Sequence, residues 1–218
     1  MDEQFFTSLF LIIGIDLILG GDNAIVIALA CRNLPENQRR KGILFGTMLA
    51  ILSRILLTLL AVHLLNIPFL QFFGGLFLMY IAFLLLTGNE GEHTSVKSHR
   101  SLWKAIQTIV LADIFMGFDN VIAVAGAAGG NIFLVITGLL ISIPIIIWGS
   151  RFIMSAMSRF PLLIYGGGGI LAYTAGKMMA TDEKMTPLLK TEAVAQTLPY
   201  FTACLILFFA LLYNITKK

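Results

Sequence analysis

The sequence predicts an all-α polytopic membrane protein of seven transmembrane helices, six in a 3+3 inverted-topology repeat and one C-terminal to it. Three observations predict it. Hydrophobic residues make up 58% of the 218 and charged residues 12%, against about 25% charged in a typical soluble domain; mean hydropathy is +0.89. The apolar residues come in blocks of ~20, the length a helix needs to cross a ~30 Å hydrocarbon core. A motif of two carboxylates and an amide inside the first block returns ninety-seven positions later.

The first apolar run, near 5–30, follows an acidic Met1-Asp2-Glu3-Gln4. It is too long for the hydrophobic core of a signal peptide and contains Asp16, so it reads as a retained span. Further spans fall near 43–65, 68–87, 104–128, 132–152, 161–180 and 199–216. Pro68, Pro161 and Pro199 stand near three proposed starts, where a missing N–H costs nothing. The links at Asn66-Ile67 and Gly129-Gly130-Asn131 are short enough for antiparallel hairpins. Repeat one covers 1–87, a cytoplasmic loop 88–103, repeat two 104–180, an outer loop 181–198, and the seventh span with its tail 199–218.

Orientation follows from lysine and arginine placement. Eleven of the fifteen lie in the loops after spans one, three and five and in the C-terminal tail; three lie on the opposite side, and Arg54 lies within span two. The basic side is cytoplasmic, so the N-terminus faces out and the C-terminus in. No nucleic-acid signature accompanies the net charge of +3. Cys31 and Cys204, far apart and without metal-ligand spacing, read as two unpaired buried thiols.

The repeat is carried by Asp16-Leu-Ile-Leu-Gly20-Gly21-Asp22-Asn23 and Asp113-Ile-Phe-Met-Gly117-Phe118-Asp119-Asn120. The same offset relates Ser53-Arg54 to Ser150-Arg151, and Gly74-Gly75 resembles Gly168-Gly169. Three helices per unit make the second unit enter from the opposite side, the plan of many transporters with midplane sites. An ionisable residue at such depth is costly and marks a functional site. Interhelical hydrogen-bond glue would suit a single Asn, not a duplicated Asp-x5-Asp-Asn.

On a regular helix, residues seven apart share a face and residues six apart do not. Asp16 thus aligns with Asn23, and Asp113 with Asn120, while Asp22 and Asp119 need a break to join them. Glycine costs a helix about 1 kcal/mol, so spans one and four are expected to be broken or distorted at Gly20-Gly21 and Gly117. The candidate metal ligands are Asp16, Asp22, Asn23, Asp113, Asp119 and Asn120, with Arg54 and Arg151 as counter-charges. An all-oxygen set suits Mn²⁺, Mg²⁺ or Ca²⁺ rather than Cu⁺ or Zn²⁺. Balance by arginine or protons when metal is absent would couple metal release to proton uptake.

Other polar features have plainer readings. Gly166–Gly169 either unwinds span six or lets helices pack closely, and Pro144 is either a hinge or tolerated. Glu90, Glu92, His93 and His99 either gather cytoplasmic metal or, as charged loops commonly do, are simply solvated, and the Asp182-Glu183 pair reads as solvated loop charge.

These residues resemble the TerC family of bacterial membrane proteins. The resemblance rests on Gly21-Asp22-Asn23-Ala24, Phe118-Asp119-Asn120-Val121-Ile122-Ala123, the upstream Asp16 and Asp113, Gly46-Thr47…Arg54, and Leu171-Ala-Tyr-Thr-Ala-Gly176-Lys177. It implies a seven-helix fold of the lysine-exporter-like group and export of metal ions, Mn²⁺ foremost, as transported substrate rather than cofactor. The expected partners are the lipid bilayer and the divalent ion; a homo-oligomer is compatible with the sequence. Two alternatives stand beside the exporter. One is a non-transporting membrane component of a metal or tellurite stress-response complex. The other is an intramembrane aspartyl protease, against which Leu19 replaces the first glycine of Gly-x-Gly-Asp.

Overall fold

A computed structural model describes residues 3–64, 67–88, 98–185 and 191–216. Eight helices account for most of them: α1 (Glu3–Leu19), α2 (Gly21–Cys31), α3 (Glu36–Leu64), α4 (Leu70–Thr87), α5 (Ser98–Ala128), α6 (Ile132–Arg159), α7 (Leu162–Thr181) and α8 (Glu192–Thr216). There is no strand among the described residues. Among the described residues, four helices are long and apolar enough to cross a membrane: Glu36–Leu60, Leu70–Thr87, Ile132–Arg159 and Glu192–Thr216. The bent pair α1–α2, taken as one span, makes a fifth. Seven crossings were expected; in α7 the glycine run and Lys177 dilute the hydropathy.

The helices gather into two compact units that cut across the proposed repeat halves. One unit comprises Met1–Leu65 with Val96–Ser155, the other Asn66–Ser95 with Ala156–Lys218. The first holds α1, α2, α3, α5 and most of α6. Its core includes Ile12, Ile51, Val124, Leu134 and Leu139, with Phe5 and Leu9 packed against it.

Small residues let its helices approach. Gly42, Gly46 and Ala50 recur every fourth position on α3, a small-residue stripe of the kind that brings membrane helices together. A Cβ at Gly46 would lie 2.7 Å from Ile109 Cδ1, and one at Gly42 3.3 Å from Leu102 Cδ1. Positions rise together on both helices, so α3 and α5 run parallel. On α6, a Cβ at Gly138 would lie 2.5 Å from Ile12 Cγ2 on α1. The turn from α5 into α6 needs left-handed backbone at Gly129 (φ 55°) and Gly130 (φ 82°), which glycine supplies without strain. Asn131 Oδ1 then accepts from the N–H groups of Phe133 (3.0 Å) and Leu134 (3.3 Å), capping α6.

The second unit holds α4, α7 and α8. Glycines seat its contacts too: a Cβ at Gly75 would meet the Ala175 carbonyl oxygen at 2.6 Å, and one at Gly168 would meet Leu86 Cδ2 at 2.5 Å. The register falls on one helix as it rises on the other, so α4 and α7 are antiparallel. Gly166–Gly169 lies within unbroken α7, and its Gly168 and Gly169 pack closely against Leu86 and Leu207. Asn214 Nδ2 donates to the Leu86 carbonyl and to Tyr165 Oη, both at 3.1 Å.

Four expectations are corrected. The fourth span is not broken at Gly117: α5 is one continuous helix, because a single glycine followed by Phe118 costs too little to interrupt the ladder. Pro199 lies inside α8, seven residues past its start at Glu192. Cys31 is buried but Cys204 is exposed on α8. Asp182 is buried rather than solvated: its carboxylate accepts from the N–H groups of Phe72 (3.2 Å), Lys184 (2.9 Å) and Met185 (3.2 Å). Glu90, Glu92 and His93 lie outside the described residues, as does the side chain of His99.

Candidate functional site

Arg54 is the largest fully buried side chain among the described residues. It continues the Gly42–Gly46–Ala50 stripe of α3, so the contact that draws α3 onto α5 carries its guanidinium inward. There it donates through Nη1 to Asp16 Oδ1 on α1 and through Nη2 to Asp113 Oδ1 on α5. Asp113 sits one turn beyond Ile109, the residue seated on Gly46. Asp16 likewise sits one turn beyond Ile12, the residue seated on Gly138. One turn past Gly138, Ser142 donates to Asp16 Oδ2, and its oxygen also lies 2.8 Å from the Leu139 carbonyl. Each aspartate is thus presented by an isoleucine locked against a glycine on a neighbouring helix.

The first span is broken where its glycines stand. α1 and α2 meet at 47°, joined by Gly20 at φ −97°, ψ 10°. The Gly20 N–H still reaches the Asp16 carbonyl (2.8 Å), and the Asn23 N–H reaches the Gly20 carbonyl (3.1 Å). A Cβ at Gly20 would run into the Asp16 carbonyl oxygen and lie 3.2 Å from Asn23 Nδ2, whereas Gly21 has open space around it. Asp22 is half-buried in the first turn of α2, where the helix dipole favours an anion.

Beside the Arg54 pairs lies a cavity of about 10 Å³, whose polar lining is Asn23, Thr47, Arg54 and Asp113 among aliphatic side chains. That volume holds about one water-sized sphere. Each of the four contributes atoms with no hydrogen-bond partner: both amide atoms of Asn23, Thr47 Oγ1, Arg54 Nε and Asp113 Oδ2. A buried polar atom left unpaired costs roughly 1–3 kcal/mol, so several around one small space are hard to reconcile with a purely structural role. With both carboxylates ionised, two negative charges face one guanidinium and the formal charge is −1. Such a charge in a low-dielectric interior calls for a proton or a cation.

The structure therefore brings together Asp16, Asn23, Asp113 and Arg54 of the residues singled out by sequence. Asn120 is buried on α5 but does not line the cavity. Arg151 is exposed on α6, beside a buried Ser150. The side chain of Asp119 lies outside the described residues, as does that of His63. No group of three or more His, Cys, Asp and Glu side chains gathers among the described residues; oxygen from Asn, Thr and Asp prevails instead. Sequence reasoning assigned no role to Thr47 or Ser142. Ser142 is a hydroxyl in an apolar run, and such residues commonly bond their own helix, so nothing marked it.

The whole chain, residues 1–218, matches the integral membrane protein TerC family. It is 50% identical over 220 residues to "Uncharacterized membrane protein YjbE" of Bacillus subtilis, with 100% of both chains covered. A "UPF0053 protein" of Buchnera aphidicola is 30% identical over 162 residues, which are 66% of this chain and 32% of that one. "UPF0053 protein YegH" of Escherichia coli is 25% identical over 182 residues, 75% of this chain and 34% of that one. The chain spans about a third of the length of these last two. No solved structure matches.

Proposed function

This chain belongs to the TerC family of integral membrane proteins, and on that premise we propose that it exports divalent metal cations, Mn²⁺ foremost, across a bacterial plasma membrane. The observation that carries the reading is the buried cavity where unpaired oxygens of Asp113, Asn23 and Thr47 stand beside a cluster of formal charge −1. Carboxylate, amide and hydroxyl oxygens suit hard and intermediate cations. A broken helix beside the site is a feature of transporter ion sites.

The reading includes seven spans and an inverted repeat. Helix directions inside each compact unit support alternation: α3 with α5 parallel, α4 with α7 antiparallel. Ile12 and Ile109, ninety-seven positions apart, each seat on a glycine of the other repeat's second helix, and Asp16 and Asp113 follow each by one turn. Alternating access between repeats would expose the site to each side in turn, and proton uptake on the carboxylates would replace the departing ion. Asp16 and Asp113 bind opposite ends of one guanidinium rather than sharing a proton as a protease dyad would. No catalytic role is assigned.

The test is metal flux into liposomes holding the purified protein, run with Mn²⁺, Mg²⁺ and Ca²⁺ while internal pH is followed. Wild type moves Mn²⁺ with an opposite proton flux, and Asp113→Asn abolishes the movement. Absence of flux for every metal would overturn the reading in favour of a non-transporting membrane component.

A further inference from the structure

The two aspartates on Arg54 have the same residue type and the same place in the sequence repeat, yet their surroundings differ. Asp16 is saturated: Oδ1 accepts from Arg54 Nη1 and Oδ2 from Ser142 Oγ. Asp113 gives one oxygen to Arg54 Nη2 and leaves Oδ2 without a protein partner. The unpartnered atoms of Asn23 and Thr47 line the same cavity as Asp113, and both residues are more than nine-tenths buried. Asp16 and Ser142 do not line it.

Resting on the exporter reading, we propose that the two repeats have divided the labour. Asp113 Oδ2, Asn23 Oδ1 and Thr47 Oγ1 form the cation subsite, and Asp16 with Ser142 is a dock that holds Arg54. Asp16 is then a positioning residue that acts through the guanidinium. Thr47 is a ligand that the repeated acidic motifs do not announce. The arrangement also gives Arg54 a defined task. Bridging both carboxylates, it divides one positive charge between them, so Asp113 offers the subsite less than one full negative charge until the guanidinium shifts towards the dock. Arg54, which also lines the cavity, has an unpartnered Nε that is a donor and cannot ligate a cation.

The division predicts opposite behaviour in binding and turnover. With purified full-length protein in nanodiscs and MnCl₂ as titrant, Thr47→Val and Asn23→Leu each weaken Mn²⁺ binding by about tenfold or more, the loss of roughly one ligand's worth of affinity. Thr47→Ser, which keeps the hydroxyl, restores it. Ser142→Ala leaves the Kd within about threefold, under 1 kcal/mol, while slowing liposome turnover through a loosened Arg54. Unfolding temperatures of all variants are read alongside, and the Thr47→Ser rescue separates lost ligation from lost fold.

If Thr47→Val binds Mn²⁺ like wild type, or Ser142→Ala weakens binding as much as Thr47→Val does, the division of labour is overturned while wild-type transport stands. If wild type binds none of Mn²⁺, Mg²⁺ and Ca²⁺, the exporter reading falls first and takes this inference with it.

Discussion

Arg54 donates through Nη2 to one carboxylate oxygen of Asp113, fifty-nine residues further along the chain; the other oxygen has no hydrogen-bond partner, and Asp113 lines a cavity. The pair exists because α3 and α5 run parallel and meet through Gly46. Charge, packing and sequence repeat converge there, and each can be perturbed separately.

Removing the guanidinium leaves two buried carboxylates uncompensated. Breaking a buried pair in this way costs roughly 3–5 kcal/mol, so Arg54→Met is expected to lower the unfolding temperature sharply. Arg54→Lys falls between, because a point charge cannot fork across Asp16 and Asp113 as a planar guanidinium does. Adding Asp16→Asn and Asp113→Asn to Arg54→Met removes the stranded charges and recovers much of the loss. Thermal unfolding in detergent measures all three; equal stability of Arg54→Met and wild type would sink the ion-pair account.

The bend in the first span makes Gly20 and Gly21 unequal despite their adjacency. A methyl at position 20 collides with the Asp16 carbonyl oxygen, a backbone atom that cannot rotate away, and crowds the Asn23 amide. A methyl at position 21 meets open space and opens α2 with a better helix former. Gly20→Ala is therefore expected to abolish Mn²⁺ flux and lower stability. Gly21→Ala is neutral or stabilising by up to ~1 kcal/mol. The second copy behaves differently: a Cβ at Gly117 would lie 3.9 Å from Arg54 Nε, an ordinary contact, so Gly117→Ala folds normally. Flux and unfolding temperature decide the order.

Gly46 sets the α3–α5 spacing that brings Arg54 to Asp113. Gly46→Val drives a branched side chain into Ile109 and is expected to cost roughly 1–3 kcal/mol by overpacking, with flux lost as the pair separates. Gly149, on α6 with nothing within 4 Å of an added Cβ, is the matched control, and Gly149→Val should leave both readouts near wild type. Equal effects at the two positions would show that close packing at Gly46 is not what holds the site.

The extent to which this was legible from sequence varies with the kind of physics involved. The helical membrane class and the break at Gly20 follow from local composition and backbone preference, which act within a few residues. The burial of Arg54 was readable because an arginine deep in an apolar run must find an anion, and four repeated aspartates were available; that Asp16 and Asp113 are the two it meets was not. Thr47 and Ser142 were not readable, since a hydroxyl in an apolar helix looks the same whether it bonds its own turn or a neighbour. Similarity of motif also misled: Gly117 resembles Gly20 in register, but with Phe118 in place of a second glycine α5 runs on unbroken. The grouping of helices into units reflects contacts between distant segments, which no local pattern encodes.

Asp182 tests whether every buried acid here serves the ion. It follows α7, and its carboxylate accepts the Phe72 N–H in the first turn of α4 together with two N–H groups of its own turn. The Phe72 N–H is one of the four that a helix start leaves unsatisfied, so Asp182 ties the end of α7 to the beginning of α4. These three donors are backbone N–H groups, and all lie within one compact unit. Losing such a cap costs about 0.5–2 kcal/mol, and Asp182→Ala is expected to lower the unfolding temperature accordingly. Asp182→Asn, which keeps one acceptor oxygen, loses less. Mn²⁺ affinity should hold in both, because the cavity lining belongs to other residues. A Mn²⁺ isotherm weakened in Asp182→Asn without a change in stability would show that the charge itself takes part in transport, and the cap reading would fall.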